Sequence, residues 1–96
     1  IICGNRIEIG DGVGFGRNVM IYDNNFHTTG LNKKVKLKPL IIEDHVWLCT
    51  GVTIVKGLRI EQGAVCSINS TITRNVKSKN MVSGNPAKVM MTNVEW

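Results

Sequence analysis

The sequence predicts an all-β chain wound as a parallel, triangular solenoid of hexapeptide repeats, with one extruded loop and a short C-terminal helix. Three observations predict it. An apolar residue recurs at every sixth position, as Cys3, Ile9, Phe15 and Ile21, and again as Ile42, Leu48, Ile54, Ile60, Cys66 and Ile72; a short fixed period of this kind marks stacked repeats. Turn formers lie between these positions, as in Gly10-Asp11-Gly12, Gly16-Arg17-Asn18, Glu43-Asp44-His45 and Glu61-Gln62-Gly63, and read as corners joining very short strands. Finally, the 96 residues include ten glycines and only 5% aromatics, whereas a domain this short normally fills its core with large side chains. A helix is excluded because a period of six would smear the apolar residues around 3.6-residue turns. A meander is excluded because its strands run to about 5–6 residues.

Each element then follows in order, within one domain spanning 1–96. The first coils cover residues 1–24, where a second column of smaller residues stands four places after the first: Ile7, Val13 and Val19, then Asn25, which breaks the pattern. The N-terminus, Ile1-Ile2-Cys3-Gly4, has no initiating Met and no basic-then-apolar leader, so the chain reads as starting inside a longer product. From Ile21 to Ile42 the spacing is not a multiple of six, which expels the polar, basic intervening segment as a loop at about 25–41. Loops mounted on a rigid scaffold are where function concentrates. The coils resume over 42–77, with Ile42 expected to stack on Ile60, Leu48 on Cys66 and Ile54 on Ile72; the second column there is Val46, Val52, Leu58, Ala64, Ser70 and Val76. In the tail, 78–96, the stretch Ala87-Lys88-Val89-Met90-Met91 after Pro86 is expected to form the short helix, capping the last coil. The first coil shows no cap, and its edge requires cover from further chain or a neighbouring copy.

Composition narrows the function classes. No apolar run reaches the roughly 18 residues of a membrane span. Three cysteines in no metal or redox spacing argue for packing roles and a reducing compartment, by default the cytoplasm. The net charge of +5 fits an anionic partner. The basic residues cluster on the loop (Lys33, Lys34, Lys36, Lys38) and after the last coil (Arg74, Lys77, Lys79, Lys88), and the second cluster fits a cofactor bearing several phosphates. Nucleic-acid binding is not expected, since neither a recognition helix nor an aromatic stacking platform is present.

The hexapeptides Ile42-Glu43-Asp44-His45-Val46-Trp47, Leu48-Cys49-Thr50-Gly51-Val52-Thr53 and Ile60-Glu61-Gln62-Gly63-Ala64-Val65, with Thr73-Arg74-Asn75-Val76 and Gly84-Asn85-Pro86-Ala87-Lys88, resemble the hexapeptide-repeat acyltransferases. The resemblance covers nearly the whole chain. It implies a left-handed parallel β-helix, a handedness that period and composition do not give, and acetyl transfer from acetyl-CoA. It also implies a homotrimer with active sites between subunits. The marks are similar to those of members that O-acetylate a sugar or polysaccharide precursor, and are shared with members that N-acetylate amino sugars or antibiotics. A non-catalytic trimeric solenoid module is the rival from another class.

Read from the residues alone, His27 is a solvated loop histidine; the resemblance implies that it is the catalytic base. An imidazole with a pKa near 6.5 suits removal of a proton from an attacking hydroxyl or amine at neutral pH. Asp23 and Asn25 are both candidates to hold its tautomer. For the cofactor, the resemblance implies that Trp47, Thr50 and Ile68 line the pantetheine groove, that Thr73 and Arg74 lie near the phosphates, and that Lys88 lies near the adenosine phosphate. The chain departs from the family pattern where Cys49 and Ser67 replace Gly, Ile68 replaces Ala, Asn69 replaces Gly and Arg74 replaces Lys. His45, at a predicted corner, reads as a solvent-facing residue. No metal is expected: a zinc-dependent carbonic anhydrase on the same solenoid needs three His ligands, and this chain has two histidines.

Overall fold

The computed structural model describes residues 7–22, 39–55 and 57–96; the remaining positions lie outside the description. Eleven short strands make up the described chain: β1 Ile7–Ile9, β2 Gly14–Phe15, β3 Met20–Tyr22, β4 Leu40–Ile42, β5 Trp47–Leu48, β6 Thr53–Val55, β7 Arg59–Ile60, β8 Val65–Cys66, β9 Thr71–Ile72, β10 Met81–Gly84 and β11 Ala87–Met91. They form three sheets, ordered β1-β4-β7, β11-β10-β8-β5-β2 and β3-β6-β9. All pairings are parallel except that of β10 with β11. From β1 to β10 successive strands therefore belong to different sheets, and each pairs with the strand one coil away, as a three-sided solenoid requires.

The six-residue period sets the register. Ile9 pairs with Ile42 and Ile42 with Ile60, Phe15 with Leu48 and Leu48 with Cys66, Ile21 with Ile54 and Ile54 with Ile72. The lower coils bury this column completely, with Ile42, Leu48, Ile54, Ile60, Cys66 and Ile72 all at 0–1% exposure. The second column, Val46, Val52, Leu58, Ala64, Ser70 and Val76, is buried with it. Ser70 is tolerated there because its hydroxyl donates to the Ser67 carbonyl at 2.7 Å. Backbone bonds run from coil to coil, as from Gly14 N to Val46 O, Trp47 N to Ala64 O and Val65 N to Asn80 O. Ile9 and Phe15 hold column positions yet stay 41% and 47% exposed, whereas Ile21 in the same coil is fully buried.

Two corners turn through a left-handed residue in each coil. At the first corner this is Gly12, His45, Gly63 and Lys79; at the second it is Asn18, Gly51 and Asn69. Asn tolerates this conformation through its short polar side chain, so Asn69 can stand where the family pattern has Gly. The third corner, between the sheets of β3 and β4, takes in residues 57–58 and 73–75. Tyr22 and Pro39 flank the long segment that carries His27.

Two expectations change. Leu40 and Ile41 belong to β4 and not to a loop reaching residue 41. The short C-terminal helix is absent: Ala87–Met91 is a strand, antiparallel to β10, with Ser83 opposite Lys88 and Gly84 opposite Ala87. Five residues are far too few for a helix to be stable by itself. By contrast, β10 continues the sheet below β8 and offers an edge, and Gly84, at a φ of 103°, makes the tight reversal that brings β11 back along it.

The described cysteines, Cys49 and Cys66, are free thiols. Burial, and secondarily the neighbouring Cys49, pushes the Cys66 thiol up to about 12 from an ordinary value of 9.0. Between those values the folded chain holds a proton that the unfolded chain has lost, so stability falls as pH rises through that window. The slope approaches about 1.4 kcal/mol per pH unit. Denaturant melts from neutral pH into that window should show this extra loss in the parent relative to Cys66→Ala. Profiles that stay parallel would contradict it.

Candidate functional site

The lower end of the solenoid gathers three of the residues singled out in the sequence. The chain leaves β9 at Ile72 and presents Thr73 and Arg74 at the third corner, while the β10–β11 reversal returns Lys88 to the same place. Together with Asn75 they surround a pocket of ≈ 350 Å³ whose apolar lining includes Ile72, Val76, Val82, Ala87 and Val89. Among the described residues neither Arg74 nor Lys88 has a carboxylate partner. Arg59, by contrast, is paired with Glu43 at 2.6 Å. Two uncompensated cations beside an apolar cleft can hold a ligand that combines phosphate groups with a greasy portion.

Thr50 and Ile68 meet at the second corner in successive coils, where the Asn69 N–H donates to the Thr50 carbonyl at 2.9 Å. Ile68 is 62% exposed, so its bulk is directed away from the core. Trp47 stands in β5, two residues past the first corner, on a row that runs through Gly14, Trp47, Val65 and Met81 across the five-stranded sheet. Its indole is 44% exposed.

Asp23, Asn25 and His27 lie outside the described residues, but the ends of their segment are placed. Pro39 lines a cleft of ≈ 290 Å³ with Ile41, Gly57, Leu58, Arg59 and Asn75. The His27 segment thus rejoins the solenoid at the third corner, the one that also carries Thr73 and Arg74. The sheet bearing Trp47 is the side opposite that corner. The structure therefore brings Thr73, Arg74 and Lys88 into one pocket and Thr50 and Ile68 to one corner, with Trp47 on a third surface.

Sequence reasoning missed a fourth feature. His45 turns its corner as expected, with a φ of 56°, but its ring does not simply face solvent. It stacks on the Trp96 indole with centroids 3.9 Å apart and planes within 8°. Its Nε2 lies 2.6 Å from the Trp96 carbonyl oxygen, which accepts the Nε2 proton. Trp96 in turn lies 5.6 Å from the Trp47 ring, tilted by 40°. A tryptophan near the end of a chain otherwise poor in aromatics was the signal available. Among the described residues no group of three His, Cys, Asp or Glu side chains could hold a metal ion, and no helix is long and apolar enough to cross a membrane.

Comparison with known proteins places these features in context. No protein-family model matches the chain. A Saccharomyces cerevisiae protein with a provisional acetyltransferase name is 31% identical over 94 residues, covering 94% of this chain and 47% of its own. The 2,3,4,5-tetrahydropyridine-2,6-dicarboxylate N-acetyltransferase of Staphylococcus aureus is 33% identical over 61 residues, which is 64% of this chain and 26% of that enzyme. Among solved structures, a hexapeptide-repeat acetyltransferase of Vibrio cholerae complexed with acetyl coenzyme A superposes with a TM-score of 0.78 and 28% identity, covering 93% of this chain and 50% of that one. A polysialic acid O-acetyltransferase superposes with a TM-score of 0.84 and 27% identity, covering 94% and 45%. The resemblance to hexapeptide-repeat acetyltransferases thus extends over nearly all of this chain, which spans no more than half the length of each of these proteins.

Proposed function

We propose that the protein transfers an acetyl group from acetyl-CoA to a hydroxyl of a sugar or polysaccharide precursor, on a left-handed β-helix. The observation that carries this reading is the lower pocket, where Thr73, Arg74 and Lys88 converge beside an apolar cleft in a chain whose structural neighbour is complexed with acetyl coenzyme A. Arg74 and Lys88 would hold the cofactor's phosphates, and Thr50, Ile68 and Trp47 would flank the pantetheine.

In the reaction His27 takes the proton from the acceptor hydroxyl as its oxygen attacks the thioester carbonyl. Backbone N–H groups of the coil stabilise the tetrahedral oxyanion. The carbon–sulfur bond then breaks, and the proton passes from His27 to the departing thiolate, leaving acetylated acceptor and coenzyme A. Asp23 or Asn25 holds the imidazole in the tautomer that accepts. Alignment of acceptor and thioester supplies the remainder of the acceleration.

The separation of Trp47 from the third corner supports a site divided between subunits of a homotrimer, with His27 from one chain and much of the groove from the next. The Staphylococcus aureus relative favours a second reading, transfer to an amine. A thiol-release assay with acetyl-CoA across neutral sugars, oligosaccharides, amino sugars and aminoglycosides tests both. Turnover confined to neutral saccharides supports the first, turnover confined to amines the second, and no release above hydrolysis with any acceptor contradicts both. The paired substitution Arg74→Gln and Lys88→Gln should weaken coenzyme A binding by about tenfold or more, as removal of two charge-assisted contacts would. It should also flatten the salt dependence of binding. Unchanged affinity would remove these residues from the phosphate site.

A further inference from the structure

We infer that Trp96 is a positioning residue for the cofactor groove: the segment 92–96 climbs the first corner as a strap and sets the Trp96 indole against Trp47, fixing the ring that the reading above places beside pantetheine. The inference rests on that reading of Trp47. After β11 the chain turns through Asn93, at a φ of 56°, and the Val94 N–H donates to the Lys79 carbonyl at 2.8 Å. Lys79 is the lowest left-handed residue of the corner and His45 stands two coils above it. The strap therefore spans the corner and is held at both ends, below by that backbone bond and above by the His45 stack and the 2.6 Å bond from His45 to the Trp96 carbonyl.

Gly14 provides the second line of argument. Glycine weakens a strand and often marks close approach of another group. Gly14 pairs with Trp47 in the sheet, and a Cβ at that position would lie 3.2 Å from Trp47 Cδ1 and 3.8 Å from Trp96 Cη2. The strand thus leaves room where the two indoles meet. Trp47 and Trp96 remain 44% and 41% exposed in this arrangement, so the strap borders the Trp47 ring without covering it. A plug would bury that ring, whereas a side wall restrains its rotamers and leaves it free for a ligand. His45, a bland corner residue on sequence grounds, is the post on which the wall is mounted.

The test compares the parent, Trp96→Ala and Trp96→Phe in this 96-residue chain, by acetyl-CoA kinetics and by far-ultraviolet circular dichroism. The 96-residue chain has two tryptophans, so an exciton couplet from it reports this pair. Trp96→Ala should abolish the couplet and raise KM for acetyl-CoA by about two- to tenfold, the range expected from loss of one aromatic pair, with kcat within about twofold. Trp96→Phe, which keeps a ring against Trp47 and His45, should retain most of the parental KM. A Trp96→Ala protein that loses the couplet with KM unchanged overturns the inference and leaves the acetyltransferase reading standing, as does a Trp96→Phe protein whose KM rises as far as that of Trp96→Ala. A parent that neither binds coenzyme A nor transfers acetyl overturns the functional reading, and the inference with it.

Discussion

Replacing His27 with alanine is expected to lower acetyl transfer by about 10²- to 10⁴-fold, the worth of a well-placed general base, while coenzyme A binding stays largely intact. The acceptor hydroxyl is a poor nucleophile while it holds its proton, and the imidazole is the group proposed to take it. The thioester is already activated, and the cofactor's proposed contacts lie elsewhere, its phosphates on Arg74 and Lys88 and its pantetheine beside Thr50, Ile68 and Trp47. The substitution should therefore separate chemistry from binding, with kcat falling steeply and the dissociation constant of coenzyme A hardly moving. The pH profile of kcat/KM should lose its acidic limb together with the imidazole. Activity within twofold of the parent would remove His27 from the mechanism. Loss of coenzyme A binding along with activity would make it a structural residue.

The second large effect concerns the scaffold. Ile54 is fully buried and lies in register between Ile21 above and Ile72 below. Truncation to alanine removes its own buried surface and leaves a cavity that two stacked neighbours cannot fill without breaking the coil register. The expected loss is about 2–5 kcal/mol. Ile9 occupies the same column position one side over, but at 41% exposure its truncation should cost about 1 kcal/mol or less. Chemical denaturation of the two variants makes the comparison. Equal losses would contradict the axial column as the source of stability.

Much of the fold is legible in the sequence because one periodicity governs sheet membership, register and core. Once Ile42, Leu48 and Ile54 are taken as three sides of a coil, the pairs with Ile60, Cys66 and Ile72 follow. The shortage of aromatics follows as well, since a column one side chain wide has no room for rings. The period does not determine what happens where it stops. Ala87–Met91 carries no six-residue signal, and its apolar run fits a cap helix or a strand equally well. The open edge of β10 and the reversal at Gly84 decide for the strand, and both belong to the folded structure rather than to the local sequence. Leu40 and Ile41 carry no column signal, because the column resumes only at Ile42, although β4 begins two residues earlier.

The site was legible to different degrees. Resemblance assigns Thr73, Arg74 and Lys88 singly to the cofactor's phosphates; that all three line one pocket comes from the structure, through a strand reversal that carries Lys88 back under the last coil. The placement of His27 within the solenoid's geometry lies outside the described residues, and its role stands as a proposal. The partnership of His45 with Trp96 could not be read from spacing, because it joins residues 51 positions apart through a strap that follows no repeat.

The most direct test of the account is thermal unfolding of the protein with increasing coenzyme A. A ligand that binds only the folded state stabilises it by mass action, by about 2.7 kcal/mol at a hundredfold excess over its dissociation constant. The melting temperature should therefore climb steadily with the logarithm of coenzyme A concentration, and climb less in the Arg74→Gln, Lys88→Gln variant. A melting temperature that does not move at millimolar coenzyme A would contradict the assignment and leave a solenoid that binds no acyl carrier.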